Sequence, residues 1–379
     1  MKVLYVINGL GLGGAERQIV MLSKDLVRRG HSVCIFTLNN LVPRADELRG
    51  SAVELVVDQK RSRLDFALVR RLRRKIKTWQ PDMVHGFLYD GNVYARLAGV
   101  GLGVPVLGSE RNDNYRLSAS QKIGYLLTAP WSDGVVANSY AGAGFARRVQ
   151  HVREGDVHTV WNGIDLREID ERLAGSTAPA HALLPGAARR VCMVGAIKPE
   201  KDHLLALRVA RRLADRDPGW RFLCVGDQLQ DRGSAWKDQV LAERERLGLR
   251  EIVHFAGHRR DVPELVASCD AMLVTSRYEG FPNVVLEAMA CGTPVASTDY
   301  SDVRRILPMP WQVVASRDEG ELAAALERCV AGHGEVAAAQ RRWVEAHATA
   351  AASAEAMLQV YACYAGRGAG RVREQEGLS

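Results

Sequence analysis

The stretch SRYEGFPNVVLEAMACGTPVAST, Ser276 to Thr298, sets two carboxylates around a turn and a helix start. An apolar strand over Ala271–Thr275 delivers Glu279 at its carboxyl end, and Gly280-Phe281-Pro282 turns the chain. A helix then begins near Asn283, with Glu287 about one turn in. Asn283 is the expected cap, and the N–H groups near Val284 and Val285 suit a diphosphate, because a helix N-terminus attracts anions. Carboxylates beside such a site accept strong hydrogen bonds from sugar or ribose hydroxyls. A plainer arrangement fits the same spacing: a surface turn glutamate followed by an ion-pair partner.

A second candidate opens the chain. In VLYVINGLGLGGAERQIV, Gly9, Gly11 and Gly14 match G-x-G-x-x-G directly after a strand-like run. A dinucleotide site also needs an acid at the end of the second strand, and IFTLNN ends in Asn39 and Asn40. Nicotinamide or flavin binding is therefore disfavoured. Gly13 and Gly14 still open a helix whose free N–H groups favour an anion, so phosphate proximity without a dinucleotide is the expectation, against a plain strand-to-helix turn.

Strand-like and helix-like runs alternate along all 379 residues, the pattern of an α/β protein with parallel sheets. Expected strands in the first half are Lys2–Asn8, Ser32–Leu38, Met83–Phe87, Val104–Ser109 and Gly134–Ala137, with helices Ala15–Arg29 and Leu64–Trp79. A Pro- and Ala-rich stretch follows, and the alternation then restarts at Val191–Ile197, continuing through His203–Arg216, Arg221–Val225, Ala235–Leu247, Ile252–Ala256 and Val295–Thr298. The expected organisation is a Rossmann-like domain over 1–170, a linker over 171–190 and a second such domain over 191–350. A helix at 351–366 crosses back to the first domain, and a frayed tail covers 367–379. Two doubly wound sheets facing a cleft would bind ligands beyond the carboxyl ends of their strands.

Composition narrows the classes. The seven cysteines form no C-x-x-C pair and sit in apolar runs, which argues against a disulfide frame or a structural metal and for a reducing, cytoplasmic setting. The N-terminus is cut by glycines and followed by Glu16 and Arg17, unlike a signal peptide. The net charge of +7 is uneven, with 23 Lys and Arg against 14 Asp and Glu up to residue 160, and 28 against 30 beyond it. Nine basic residues crowd Lys60–Lys77, where Leu64, Leu68, Leu72 and Ile76 recur every fourth position. Such a helix either packs its stripe on its own sheet or lies on an anionic membrane. Nucleic acid is disfavoured, since no aromatic-interleaved motif accompanies the charge.

E-G-F-P-N-x-x-L-E-A-M-A-x-G-x-P-V resembles the E-x7-E signature of retaining glycosyltransferases of the GT-B fold, specifically glycosyltransferase family four. GLGGAER, VWNGIDL (Val160–Leu166) and FAGHRRDVPELVASCDAMLVTS resemble further landmarks of that family, in the same order. The resemblance implies transfer of a sugar from a UDP- or GDP-sugar to a glycan or lipid-linked acceptor, without metal or other cofactor. The basic Lys60–Lys77 segment points to an envelope polysaccharide or lipopolysaccharide acceptor, presented to a cytoplasmic enzyme at the inner membrane face. The resemblance also implies roles. Gly13 and Gly14 would line the phosphate and acceptor side, and His85 would lie near the donor sugar. Glu279 would hold sugar hydroxyls, with Gly280, Phe281 and Asn283 beside it, and Val284 would mark the helix N-terminus facing the leaving diphosphate. Glu287 would bind the ribose, and Lys201 would neutralise the diphosphate. Glu279, His85 and Lys201 thus form the expected catalytic set. On its own, His85 reads equally as a structural strand histidine.

Two positions depart from the family pattern. Ala196 stands where its diphosphate-clamping Arg is usual, leaving Lys198 either as substitute or as a solvated lysine. Arg305 stands where a carboxylate is common. Base recognition is expected around Gly226-Asp227 and His258-Arg259. Three other readings stay open: another GT-B enzyme such as an epimerase or phosphorylase, a non-catalytic nucleotide-sugar-binding subunit, and an oxidoreductase.

Overall fold

Strands in a parallel sheet covered by helices are buried on both faces and read as continuous apolar runs. In the computed structural model, which describes residues 1–11, 13–62, 64–111, 117–177, 179–227 and 234–365, such runs form the strands. The expected tail at 367–379 lies outside these residues. The chain begins β1 (Lys2–Ile7), α1 (Gly14–Arg28), β2 (Ser32–Thr37), β3 (Glu54–Val57), α2 (Phe66–Trp79), β4 (Met83–Gly86) and α3 (Leu88–Gly99). It continues β5 (Val106–Glu110), α4 (Ala119–Thr128), β6 (Gly134–Ala137), α5 (Tyr140–Val149) and β7 (Val157–Thr159). Next come α6 (Leu166–Ala174), α7 (Pro179–Leu183), β8 (Arg189–Val194), α8 (His203–Arg216), β9 (Trp220–Val225), α9 (Ser234–Arg246) and β10 (Val253–Gly257). The last part holds α10 (Val262–Ala267), β11 (Ala271–Val274), α11 (Asn283–Ala290), β12 (Val295–Thr298), α12 (Val303–Ile306), β13 (Val313–Val314), α13 (Glu319–Ala331), α14 (His333–His347) and α15 (Ala350–Tyr364).

Two compact units result, Met1–Gly163 together with the chain from Ala350, and Ile164–Thr349. The first is built on a seven-stranded sheet of order β3-β2-β1-β4-β5-β6-β7, the second on a six-stranded sheet of order β10-β9-β8-β11-β12-β13. Every pairing between these strands is parallel. The order reverses between β1 and β4 and between β8 and β11, so each sheet has its switch point beside its first strand. This is the GT-B architecture, two Rossmann-like domains in one chain.

The unit boundary falls at Gly163, ahead of residue 170, and the stretch 171–190 carries the end of α6, all of α7 and the start of β8. Its composition suggested a linker. Pro179 instead opens a helix, where its missing N–H costs nothing, and Ala180, Leu184 and Ala187 bury against the second unit. Ala180 N–H also donates to Ser268 Oγ at 3.1 Å. The closing helix α15 belongs to the first unit, where Ala354, Met357, Val360, Tyr361 and Tyr364 join the core formed by β1, α1 and β2.

Helix α2 resolves the choice left open for the basic segment. Leu68, Leu72 and Ile76 are buried against Leu4, Val6, Cys34 and Phe36, so the stripe packs on its own sheet and is part of the core. Much of the charge is also committed within this unit. Arg71 grips Asp58 with two hydrogen bonds of 2.7 and 3.0 Å, Arg73 donates to Ala98 O and Val100 O, and Lys75 pairs with Glu54. Asp65 caps the helix by accepting from Leu68 N–H. Leu72→Ala should destabilise the first unit by about 2–4 kcal/mol in urea unfolding, whereas Arg74→Gln on the exposed face should fall within about 0.5 kcal/mol of wild type.

Candidate functional site

In the second sheet, β11 runs between β8 and β12 and ends in buried Thr275 and Ser276. The loop that follows is tied to the loop after β8 at several points. Thr275 Oγ1 donates to Lys201 O at 2.7 Å, and Arg277 N–H donates to Glu200 O at 2.8 Å. These ties bring Lys201 Nζ to 2.7 Å from Glu279 Oε1, with side chains only 8 and 18 % exposed. Ser276 Oγ donates to the same carboxylate oxygen. Lys201 reaches it by lying across Gly195, where a Cβ would stand 2.7 Å from Lys201 Cε and where φ is +150°. Only glycine offers that space and that conformation together.

A second ionic group braces the first. Asp202, in the left-handed region at φ 48°, caps α8 through Leu205 N–H and is buried. Its Oδ2 accepts from Arg317 at 2.6 Å and from Arg277 at 3.1 Å. The Arg317 guanidinium also donates to the carbonyls of Thr275 and Ser276, at 2.9 and 3.0 Å. Arg317 therefore ties the residue after Lys201 to the strand end before Glu279. Neither Asp202 nor Arg317 was among the sequence candidates. A charged residue three positions after β13 was the available signal, but a two-residue strand leaves almost no periodicity to read.

Helix α11 starts at Asn283, with Pro282 in the cap position and no side-chain cap. Asn283 is therefore the first helical residue, and the expectation that it caps the helix is corrected. Its own N–H is turned back onto Phe281 O at 2.9 Å, and Val285 N–H onto Pro282 O at 3.0 Å. Proline fixes the chain into the turn one residue ahead of the place where an Asn cap would act. Val284 is left at the helix mouth, and Glu287 stands half-buried on the same helix. Gly280 O accepts from Ser301 Oγ at 2.8 Å, and Phe281 is buried under the turn. Tyr300 is buried beside Glu279, and burial raises its pKa well above the usual value, so it stays a neutral hydroxyl.

Around this core, Lys198 is half-buried just ahead of the turn that carries Lys201, and it makes no ion pair among the described residues. Ala196 is half-buried one residue after Gly195. Gly226 packs against Gly195 O at φ +127°, and Asp227 pairs with Lys237 at 2.6 Å. His258 and Arg259 are exposed, and Arg259 grips Asp261 at 2.7 and 2.9 Å.

In the first unit, Gly13 is the cap residue of α1 and Gly14 its first residue, with no side-chain cap. Glu16 folds back against Gly13, placing a carboxylate at this helix start. Gly9 has a packing reason, since a Cβ there would lie 2.7 Å from Leu41 O and collide with Asn39. His85 departs from its expected place near a donor sugar. It is fully buried, with Nδ1 at 2.7 Å from Tyr361 hydroxyl and Nε2 at 2.9 Å from Ser109 Oγ. Burial holds its pKa well below 6.5. The reason is position: His85 lies within β4, not beyond its end, and its ring meets Tyr361 on α15.

Sequence reading also missed Arg111, one residue past β5. It is buried, stacks 4.7 Å over Phe87 and donates to Asn162 Oδ1 at 2.8 Å. Burial pulls its pKa down to about 10, which leaves it charged at neutral pH. Among the described residues no group of three or more His, Cys, Asp and Glu gathers where it could hold a metal ion.

Comparison with known proteins gives each unit a relative. Residues 12–168 match the model described as Glycosyltransferase Family 4, and residues 188–332 the model described as Glycosyl transferases group 1. The chain is 27 % identical over 316 residues to a D-inositol 3-phosphate glycosyltransferase of Actinosynnema mirum, covering 75 % of each chain. It is 26 % identical over 326 residues to the putative glycosyltransferase EpsF of Bacillus subtilis, covering 79 % of each. Among solved structures, Anabaena HepE in complex with UDP superposes with a TM-score of 0.82 at 18 % identity, over 96 % of this chain and 100 % of that one.

Two outcomes test the site's architecture. Arg317→Met should lower the stability of the second unit by about 1–3 kcal/mol, because it leaves buried Asp202 and two carbonyls short of donors. Arg317→Lys should recover only part of that, since an ammonium cannot span the three acceptors. The second concerns His203, buried at the start of α8, whose pKa is lowered from 6.5 to about 4, first by burial and then by the Lys201 charge. The unfolded chain takes up this proton first, so stability should fall as pH drops from 6.5 toward 4, by roughly 3 kcal/mol at most. Urea unfolding across that window should show the slope in wild type and a shallower one in His203→Gln.

Proposed function

Because the chain is a GT-B-type glycosyltransferase, a Family 4 domain followed by a group 1 domain, we propose that it moves a sugar from a nucleoside-diphosphate sugar to a glycan or lipid-linked acceptor with retention of configuration. The observation that carries this reading is the Lys201–Glu279 pair at the carboxyl end of β11, beside the start of α11. Glu279 holds hydroxyls of the transferred sugar, and Lys201 exchanges part of its contact with Glu279 for the leaving diphosphate. The helix mouth at Val284, with Gly280 and Phe281 in the turn before it, supplies N–H donors to the same anion. Charge developing on the departing oxygens thus meets the Lys201 cation as it turns from Glu279 and the fixed dipoles of the helix start, which together stabilise it. Glu287 binds the ribose. Lys198, mobile on its stem, takes the place of the missing Arg at Ala196 as a point charge rather than a fork. Because lysines and helix dipoles meet the leaving charge, no divalent metal is needed, and the leaving phosphate takes the acceptor's proton on the same face.

On the acceptor side, the buried cation of Arg111 favours a heavily hydroxylated or anionic partner, whereas the start of α1 at Gly13 and Gly14 already holds the Glu16 carboxylate and suits hydroxyls better than an anion. A UDP complex of a protein with this fold makes UDP the first donor nucleotide to try, ahead of GDP. A cell-envelope or extracellular polysaccharide is the product class in keeping with a lipid-linked acceptor. The vacant Arg position at Ala196 favours one second reading, a subunit that binds nucleotide sugar without transferring it.

Thermal unfolding with UDP, GDP, ADP or NAD, each with and without EDTA, tests the donor site. One nucleoside diphosphate at about 100 times its dissociation constant should stabilise by about 2.7 kcal/mol, equally with EDTA. Glu287→Ala should weaken that nucleotide about tenfold or more, the value of a charged hydrogen bond pair. Stabilisation by NAD alone would overturn the proposal, and binding of a sugar nucleotide that is never consumed would favour the second reading.

A further inference from the structure

Nine large apolar side chains are exposed among the described residues, and five of them fall between Ile123 and Tyr140. Helix α4 reads ASQKIGYLLT, with no acidic residue. It buries Tyr125 and Thr128, yet Ile123, Leu126 and Leu127 are 55, 52 and 65 % exposed. Ile123 and Leu127 stand one turn apart, and Trp131 extends the row in the short 3-10 turn that follows. Tyr140 begins α5, and Lys122, Tyr140 and Arg148 line one groove between the two helices. Arg147 and Arg148 are exposed in the last turn of α5, Arg147 at 4.0 Å from the solvent-facing Glu154, while Asp133 is directed to Val106 N–H. The surface is therefore apolar at its centre, aromatic at its border and cationic at its edge.

We propose that α4, its 3-10 extension and the start of α5 form a docking surface for an anionic lipid bilayer. Leucine-sized side chains enter the acyl boundary, Trp and Tyr settle at headgroup level, and cations meet anionic headgroups, so all three layers of this surface have a place in that partner. A second copy of the chain fits less well. A two-fold contact through this patch would set Lys122, Arg147 and Arg148 against their own copies. The basic segment at 60–77, for which membrane contact was one of two readings, lacks a free stripe, because Leu68, Leu72 and Ile76 are buried. Its exposed Leu64 and Phe66 sit at one end only. The inference rests on exposure and charge, independently of the transfer reached above.

Co-sedimentation of the full chain with phosphatidylcholine vesicles, with and without phosphatidylglycerol, at low and physiological salt, tests it. Wild type should pellet with the anionic vesicles. Ile123→Ser combined with Leu127→Ser should lower the partition coefficient at least about tenfold, and Lys122→Gln with Arg147→Gln and Arg148→Gln should remove the dependence on phosphatidylglycerol. Arg70→Gln with Arg74→Gln and Lys77→Gln should change binding less than about twofold. Circular dichroism should show all three variants folded, since the altered side chains face solvent. In wild type, vesicles should blue-shift tryptophan emission, and Trp131→Phe should remove that shift. Failure of wild type to pellet, binding unchanged in the serine variant, or loss confined to the 70/74/77 variant would each overturn the proposal. So would a dimer in sedimentation equilibrium that Leu127→Ser dissociates. None of these readouts uses a donor or turnover, so their failure leaves the transfer reading standing, and failure of transfer leaves these untouched.

Discussion

The second unit is organised around one ion pair, Lys201 with Glu279 at 2.7 Å. Two largely buried charges are costly to remove from water unless geometry and further hydrogen bonds compensate. Here the compensation is distributed over two loops. Ser276 adds a donor to Glu279, Gly195 clears the path of the lysine stem, and Thr275 fastens the backbone of Lys201. Arg317 joins the two loops again through Asp202 and two carbonyls. Each partner is fixed by something other than its mate. An arrangement of that kind can surrender the mutual contact to an incoming anion and hydroxyl without losing either position.

The first unit uses its buried polar groups differently. His85, Ser109, Tyr361 and Tyr5 form a chain of hydrogen bonds that closes α15 onto the sheet. Burial keeps His85 neutral, so the chain holds without a charge to solvate. Arg111 lies near this group but past the strand end, where it retains its charge and stacks on Phe87. The two differ in depth along the sheet: His85 stands level with Leu107, and Arg111 lies four residues further on, past the end of β5.

Helices α2 and α4 show why charge and hydrophobicity must be read with burial. Helix α2 has the stronger basic composition, yet its apolar stripe completes the core and several of its cations pair with Asp58, Glu54 and backbone carbonyls. Helix α4 has one lysine and a modest pattern, yet it presents three aliphatic side chains to solvent. An amphipathic sequence states that a face will be covered. What covers it depends on whether a sheet stands opposite.

The alternation of apolar runs, the restart near Val191, the strand–turn–helix around Glu279 and the absence of an acid after β2 were all legible in the sequence, because each rests on local periodicity and turn chemistry. Central strands such as β6, β11 and β12 were read nearly to the residue, since burial on both faces leaves an unbroken apolar run. The short edge strands β3, β7 and β13 were not, because two to four residues at a sheet edge carry too little pattern. Nor could composition show that 171–190 folds onto the second unit, since small residues pack as readily as they link. Tertiary structure alone decided the fate of each polar side chain. His85 became a core fastener, Asp202 and Arg317 became the brace of the Lys201–Glu279 pair, and Arg111 became a buried cation. Those outcomes depend on contacts between residues up to 276 positions apart, and no local pattern encodes which distant partner a buried polar group will meet.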